Sequence, residues 1–331
     1  MRNLLERTLH SYAPFILGLL LFLTLWGLRL AGILGEPLPD TSLSVFGITL
    51  PVGMLTQSIV SPILYLLSCY LLFRTIGEYQ LYNARTHFPT GLFFALVAGA
   101  PFLMPLRAGS ISLVIILIAL YVLMSTYQRH DAISEYLIGF SFLSLASILF
   151  PKWLFLVPFL LIGGSMMQSL TPRTFMATII GLIIPYWISA GILFLFDKLD
   201  LFIVPFQQLI QFDAISYTNM TLNEITAAGM LIFLAIPSFV MFPSTLFTIK
   251  EKARVSYQYL LLVFIASFIL ALLQPNLFVD LLPLLISIAC LFVTQMLISS
   301  KSRMGGIYIL LLLIFYLIYI SQPLWEPLVP F

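Results

Sequence analysis

Five side chains in this sequence have types that could do chemistry together. Glu36 and Asp40 sit in the stretch GEPLPDT, residues 35–41, and the cations are Arg29, Arg107 and Lys152. Arginine holds a phosphate with a planar fork and lysine holds it as a point charge. A carboxylate can take the proton of an acceptor hydroxyl as a general base. Carboxylates and cations meeting on one face of a membrane therefore suit transfer from a lipid-linked, phosphate-bearing donor. Plainer readings stand beside this one. Glu36 and Asp40 also suit an ordinary exposed loop, metal binding, or contact with a transported solute or a partner. Arg29 falls late in an apolar segment, where a charge is costly unless paired or wet. It either snorkels outward or pairs with Glu36, Asp40 or a phosphate.

The elements that must position these residues follow from composition. The chain has 331 residues, 61% hydrophobic and only 8% charged, against about 25% charged in soluble domains. It cannot cover itself with polar surface in water, so lipid is its solvent. A formal net charge of +2 gives no bulk attraction for nucleic acid. A helical span needs about 20 apolar residues. That length predicts an all-α polytopic membrane protein, one transmembrane domain over 1–331. Eleven spans are expected near 13–34, 52–73, 89–106, 110–127, 133–150, 153–169, 174–196, 223–243, 256–274, 277–298 and 306–323. The first run is longer than the apolar core of a signal peptide, about 7–15 residues, and reads as a retained span. Only Pro151 and Lys152 divide the stretch 133–169. There Phe150-Pro151-Lys152-Trp153 reads as an interfacial turn: proline stops the helix, lysine snorkels and tryptophan sits at headgroup depth.

Lysine and arginine set the expected orientation. With the N-terminus in the cytoplasm, eleven cations fall inside and four, Arg29, Arg107, Lys152 and Lys198, fall outside. This is the positive-inside bias, and it predicts N-in/C-out. Eight acids, Glu36, Asp40, Asp197, Asp200, Asp213, Glu224, Asp280 and Glu326, then lie outside and five inside. The longest connection, 197–222, is external. Its segment 199–213 mixes apolar residues with Gln207, Gln208 and Gln211. An amphipathic helix lying in the interface is the preferred reading, and a re-entrant dip is the other.

Several chemistries have no sequence support. There is no P-loop and no GxGxxG before a helix, no HExxH and no GxSxG. His10, His87 and His130 are scattered at expected cytoplasmic ends, and Cys69 and Cys290 lie in apolar runs. No cofactor or metal is implied. Asn219-Met220-Thr221 is a glycosylation sequon in letters only.

Two stretches carry a family resemblance. One is Ser61 to Leu67 followed by FFALVAGAPFLMPL, residues 93–106. The other is EYLIGFSFLSLASILFPKWLFLVPFLLIGG, residues 135–164. A span, a brief turn and a proline-bearing apolar span resemble the repeated pattern of the GT-C superfamily of integral-membrane glycosyltransferases. The order of helices is also similar to that of a bacterial inner-membrane family with a basic loop and a GLxxPY span, here Thr171-Pro172-Arg173 and Gly181 to Tyr186. The GT-C resemblance implies a polyprenyl-phosphate-linked sugar donor on the outer face and a catalytic acid in the first external loop. The matching acids are Glu36 and Asp40; in a transferase reading the cations Arg29, Arg107 and Lys152 would hold the phosphate. The sequence departs from the pattern in its short first loop, about 16 residues, and in carrying Arg107 where many members carry an acidic pair. Two other functions fit the composition. One is a scaffold or subunit in contact with other envelope membrane proteins. The other is a transporter of lipid or solute, for which Gln57, Ser68 and Ser287 are the midplane polar groups available. In every case membrane lipids are partners and nucleic acid is not.

Overall fold

A computed structural model describes residues 11–33, 41–83, 86–213, 215–217, 220–246, 249–300 and 303–325. Among the described residues the chain is all-α apart from one hairpin. Its helices are α1 (Ala13–Leu30), α2 (Met54–Glu78), α3 (Phe88–Gly99), α4 (Ala108–Met124), α5 (Ile133–Leu149) and α6 (Val157–Met166). There follow α7 (Pro172–Leu195), α8 (Val204–Ile210), α9 (Leu222–Thr245), α10 (Glu251–Leu273), α11 (Phe278–Ser299) and α12 (Arg303–Trp325). Except for the short α8, each falls on one of the eleven apolar stretches of the sequence. Among the described residues, six helical segments are long and apolar enough to cross a membrane: α1, α2, α7, α9, α10 and the run Pro275–Ser299.

Local chemistry explains the helix starts. Pro14, Pro89, Pro158, Pro172 and Pro205 sit in first turns, where the missing N–H costs nothing. Thr221 caps α9 reciprocally: its hydroxyl accepts the Glu224 N–H at 3.4 Å, and the Glu224 carboxylate accepts the Thr221 N–H at 3.0 Å.

Helix α11 is the axis of the bundle. Nearly every side chain from Phe278 to Leu297 is buried, and α3, α4, α9 and α10 pack around it. The outer helices are apolar on their exposed faces as well. On α7, Ile180, Ile183, Ile188 and Ile192 are exposed and Trp187 is 77% exposed. A face like this would be costly in water and costs nothing in hydrocarbon. These are the features of a membrane-embedded protein.

The stretch after Asp40 is a difference from the helices expected of the sequence. Strands β1 (Thr41–Val45) and β2 (Ile48–Val52) pair antiparallel, with Val45 opposite Ile48. Phe46 and Gly47 form the two-residue turn, with φ of 51° and 75°. Both values match a turn whose twist suits a hairpin, and glycine takes the second without strain. The second expected span therefore begins only at Met54. The Phe46 ring at the tip packs with Ile148, Tyr186 and Leu193, so the hairpin is pinned across one end of the bundle. Segment 199–213 forms a 3-10 turn, Leu199–Ile203, and then α8.

Trp153 is packed inside the protein and does not face lipid. It is 0% exposed, and its indole N–H donates to the Ser112 hydroxyl at 2.9 Å. A tryptophan inside protein needs a partner for that N–H, and Ser112 supplies it.

Candidate functional site

The hairpin, the start of α4, the turn after α5, the end of α8 and the link from α10 to α11 meet at one end of the bundle. They enclose a cavity of about 530 Å³. Arg107, Lys152, Asp213 and Asp280 line it, with the carboxamides of Gln208, Gln211 and Gln274 and the hydroxyl residues Thr41, Ser42 and Ser44. All these loops belong to the set that the positive-inside count assigns to the outside.

Arg107 stands at the N-cap of α4 with extended backbone, φ −120° and ψ 161°. The Ser110 hydroxyl donates to the Arg107 carbonyl at 2.8 Å and accepts its N–H at 3.3 Å. The backbone is thus held by the first turn, and the exposed guanidinium is directed by it.

Asp280 lies in the first turn of α11, and one carboxylate oxygen accepts the Gly109 N–H at 3.0 Å. A Cβ on Gly109 would lie 2.5 Å from the Asp280 Cα, so only glycine lets the two helix starts approach this closely. The Arg107 guanidinium is within electrostatic reach of the Asp280 carboxylate.

Lys152 follows Pro151 in the 3-10 turn Pro151–Leu156 and is 6% exposed. Its ammonium donates to the Leu209 carbonyl at 3.1 Å and to the Gln211 carbonyl at 2.5 Å. The charge sits 4.1 Å from the centroid of the Phe212 ring. A cation on the last carbonyls of α8 is favourable, since those groups have no partner within the helix. Two of the three ammonium donors are occupied in this way. Burial holds the Lys152 pKa below the ordinary lysine range, and Asp213 acts in the opposite direction.

Asp213 is exposed and accepts the Asn276 amide at 3.4 Å. Gln274 caps α10 and is 4% exposed. Among the described residues its buried side-chain nitrogen has no hydrogen-bond partner. An unmatched buried amide is costly, commonly about 1–3 kcal/mol, so this one is a donor in want of an acceptor at the cavity wall.

Of the residues singled out from the sequence, Arg107 and Lys152 share this cavity. Arg29 does not line it. It is 7% exposed at the end of α1, with Tyr316 and Tyr319 of α12 as its electrostatic neighbours. Glu36 and Asp40 lie outside the described residues. The described chain resumes at Thr41, in the cavity wall, where the hydroxyl donates to the Leu106 carbonyl at 3.4 Å. Asp213, Asp280 and Gln274 were not legible as site residues. The one available signal was an acid placed in the first turn of the most apolar span.

Chemically, the cavity has phosphate-binding cations beside carboxylates and carboxamides that suit hydroxyl groups. Among the described residues the sole ion pair is Arg129 with Glu135, which does not belong to the cavity. No three of the described His, Cys, Asp and Glu residues gather to hold a metal. No protein-family model and no curated protein matches the chain, so the reading of the cavity rests on its residues alone.

Proposed function

We propose that this is a multi-pass protein of a bacterial inner membrane, with about eleven spans, the N-terminus inside and the C-terminus outside. Its outer-face cavity takes the head of a polyprenyl-phosphate-linked sugar and transfers that sugar to an acceptor, as a GT-C-like transferase or polymerase. The observation that supports this reading is one cavity lined by Arg107, Lys152, Asp213 and Asp280. A head carrying both a phosphate and sugar hydroxyls needs cations and carboxylates together, and a purely basic pocket would not serve it.

Asp280 is the better base of the two acids because it is held. One oxygen is fixed by the Gly109 N–H, and the other is left for substrate. The base takes the proton of the acceptor hydroxyl. The acceptor oxygen then bonds to the anomeric carbon as the bond to the lipid phosphate breaks. Arg107 stabilises the phosphate that leaves with the bonding electrons. Lys152 has one donor remaining and acts mainly by holding the 204–213 segment in place. Glu36 and Asp40 remain candidates for the base through the family resemblance. The non-catalytic alternative, a scaffold of an envelope assembly, draws its support from Lys152, which is spent on backbone carbonyls.

The test is complementation of a deletion strain with Asp280→Asn, Arg107→Gln and the pair Glu36→Gln with Asp40→Asn. Protein level, envelope glycans and lipid-linked intermediates are measured together. Loss of a glycan with build-up of its lipid-linked precursor, at normal protein level, is the expected result for Asp280→Asn and Arg107→Gln. Full complementation by both would end the transferase reading and leave the scaffold.

A further inference from the structure

A second, almost wholly apolar groove of about 280 Å³ runs between the start of α9 and the end of α10. Met220, Ala228, Leu231, Phe268, Ala271 and Leu272 are in its walls. The link from α10 to α11 separates it from the polar cavity, and this partition is one turn thick. Gln274 and Leu277 line the cavity, while their neighbours Pro275 and Phe278 line the groove. The partition is held from both ends. Asn276 donates to Asp213 at 3.4 Å, and the Tyr217 hydroxyl donates to the Leu272 carbonyl at 2.7 Å. Asp213 and Tyr217 thus brace the partition, one at the polar cavity and the other at the apolar groove.

We propose that this groove holds the hydrocarbon chain of a lipid phosphate whose head lies in the cavity. The inference rests on the reading of the cavity as a phosphate-binding site and names where the rest of that ligand goes. Two features commit the groove to this occupant. Arg107 and Lys152 on one side of the partition match an anionic head, and the other side presents carbon to a chain. Ile225 and Ile232, half exposed at the groove, leave it open on the side where a chain would enter. A larger apolar groove of about 500 Å³ lies under the hairpin. It is walled by the pinned Phe46 side of the hairpin, and Lys198 stands at it. It too adjoins the cavity, through Ser44 beside Val45 and Leu149 beside Ile148, but Ser189 and Lys198 in its wall make it the less apolar of the two grooves.

Lipid tails are as apolar as leucine, so burying a chain here gains little from exclusion of water. The groove acts instead by holding the chain so that its head stays at the cavity, which raises the effective concentration of the phosphate.

The test uses the full chain in detergent micelles, with undecaprenyl phosphate and the ten-carbon geranyl phosphate as probes. The wild type is expected to bind the long phosphate at least tenfold more tightly. Ala228→Trp and Ile225→Trp, which fill the groove from a half-buried and an exposed position, should bring the long phosphate to the affinity of the short one. Binding of geranyl phosphate should be unchanged in both. Ile192→Trp, in the groove under the hairpin, should leave the long-to-short ratio as it is. A ratio retained in both groove variants, or abolished by Ile192→Trp instead, would overturn the assignment of the chain while leaving the head site standing. Binding of neither phosphate by the wild type would overturn the cavity reading and this inference with it. A circular dichroism melt of each variant shows that it is folded.

Discussion

Asp280 accepts a hydrogen bond from the Gly109 N–H at 3.0 Å, and the contact ties the first turn of α11 to the first turn of α4. The acid that faces the cavity is therefore positioned by a backbone group of another helix. That donor is one of the four amides a helix start leaves unpaired, and a carboxylate is favoured there by the helix dipole.

Gly109→Ala should break this arrangement. The added carbon would meet the Asp280 Cα at 2.5 Å and its carbonyl oxygen at 2.6 Å, both backbone atoms. Overpacking of this kind costs typically about 1–3 kcal/mol. A lowered midpoint of thermal unfolding is expected, with loss of phosphate binding at the cavity. An unchanged midpoint would mean that the two helix starts are not in this contact.

Lys152→Met should loosen the segment that closes the cavity. The substitution keeps an unbranched apolar stem one atom shorter and removes both bonds to the Leu209 and Gln211 carbonyls. Both bonds are only part-buried, and losing each costs on the order of 0.5–1.5 kcal/mol. Hydrogen exchange of amides in 204–213 should speed up roughly tenfold or more, because local opening becomes easier. Equal exchange in the two proteins would remove Lys152 from this role.

The same lysine gives a pH dependence of definite sign. Burial depresses its pKa in the folded chain. Between the folded pKa and the unfolded value, about 10.4, the unfolded chain binds the extra proton. Stability therefore rises with pH across that window and falls again as pH drops through the folded pKa. Melting midpoints of the wild type and Lys152→Met, compared from neutral pH to about pH 10, should show this component of the rise in the wild type alone. A parallel pair of curves would contradict it.

The proposed topology can be read directly. An alkaline phosphatase fused after Phe331 should be active and a fluorescent protein at the same place dark, since the former matures outside and the latter inside. A bright fluorescent fusion would place the C-terminus in the cytoplasm and invert the assignment of the cavity to the outer face.

Much of the architecture was legible because apolar runs and prolines act locally. Helices form where the backbone must bond to itself in hydrocarbon, and Pro151 and Pro275 stop them where the sequence shows it. The hairpin was not read. Its alternation covers only five residues per strand, Thr41–Val45 and Ile48–Val52, and its signal is a Phe-Gly turn without the usual asparagine or aspartate. The burial of Trp153 was hidden for a related reason. A Lys-Trp pair after a proline has the composition of an interfacial anchor, and nothing local reveals that Ser112 lies beside the indole.

The sequence by itself determined that this chain lives in lipid, where its helices run and which loops carry the scarce charges. Only the tertiary structure decided which charges meet. Arg107 and Lys152 came to one cavity with Asp213 and Asp280, and Arg29 went to Tyr316 and Tyr319 instead. The physical reason is that helices apolar on nearly every side, such as α11 with its almost complete burial, have no polar face to announce their neighbours. Their order around the bundle is set by shape, by contacts such as Gly109 against Asp280, and shape is not written along one dimension of the chain.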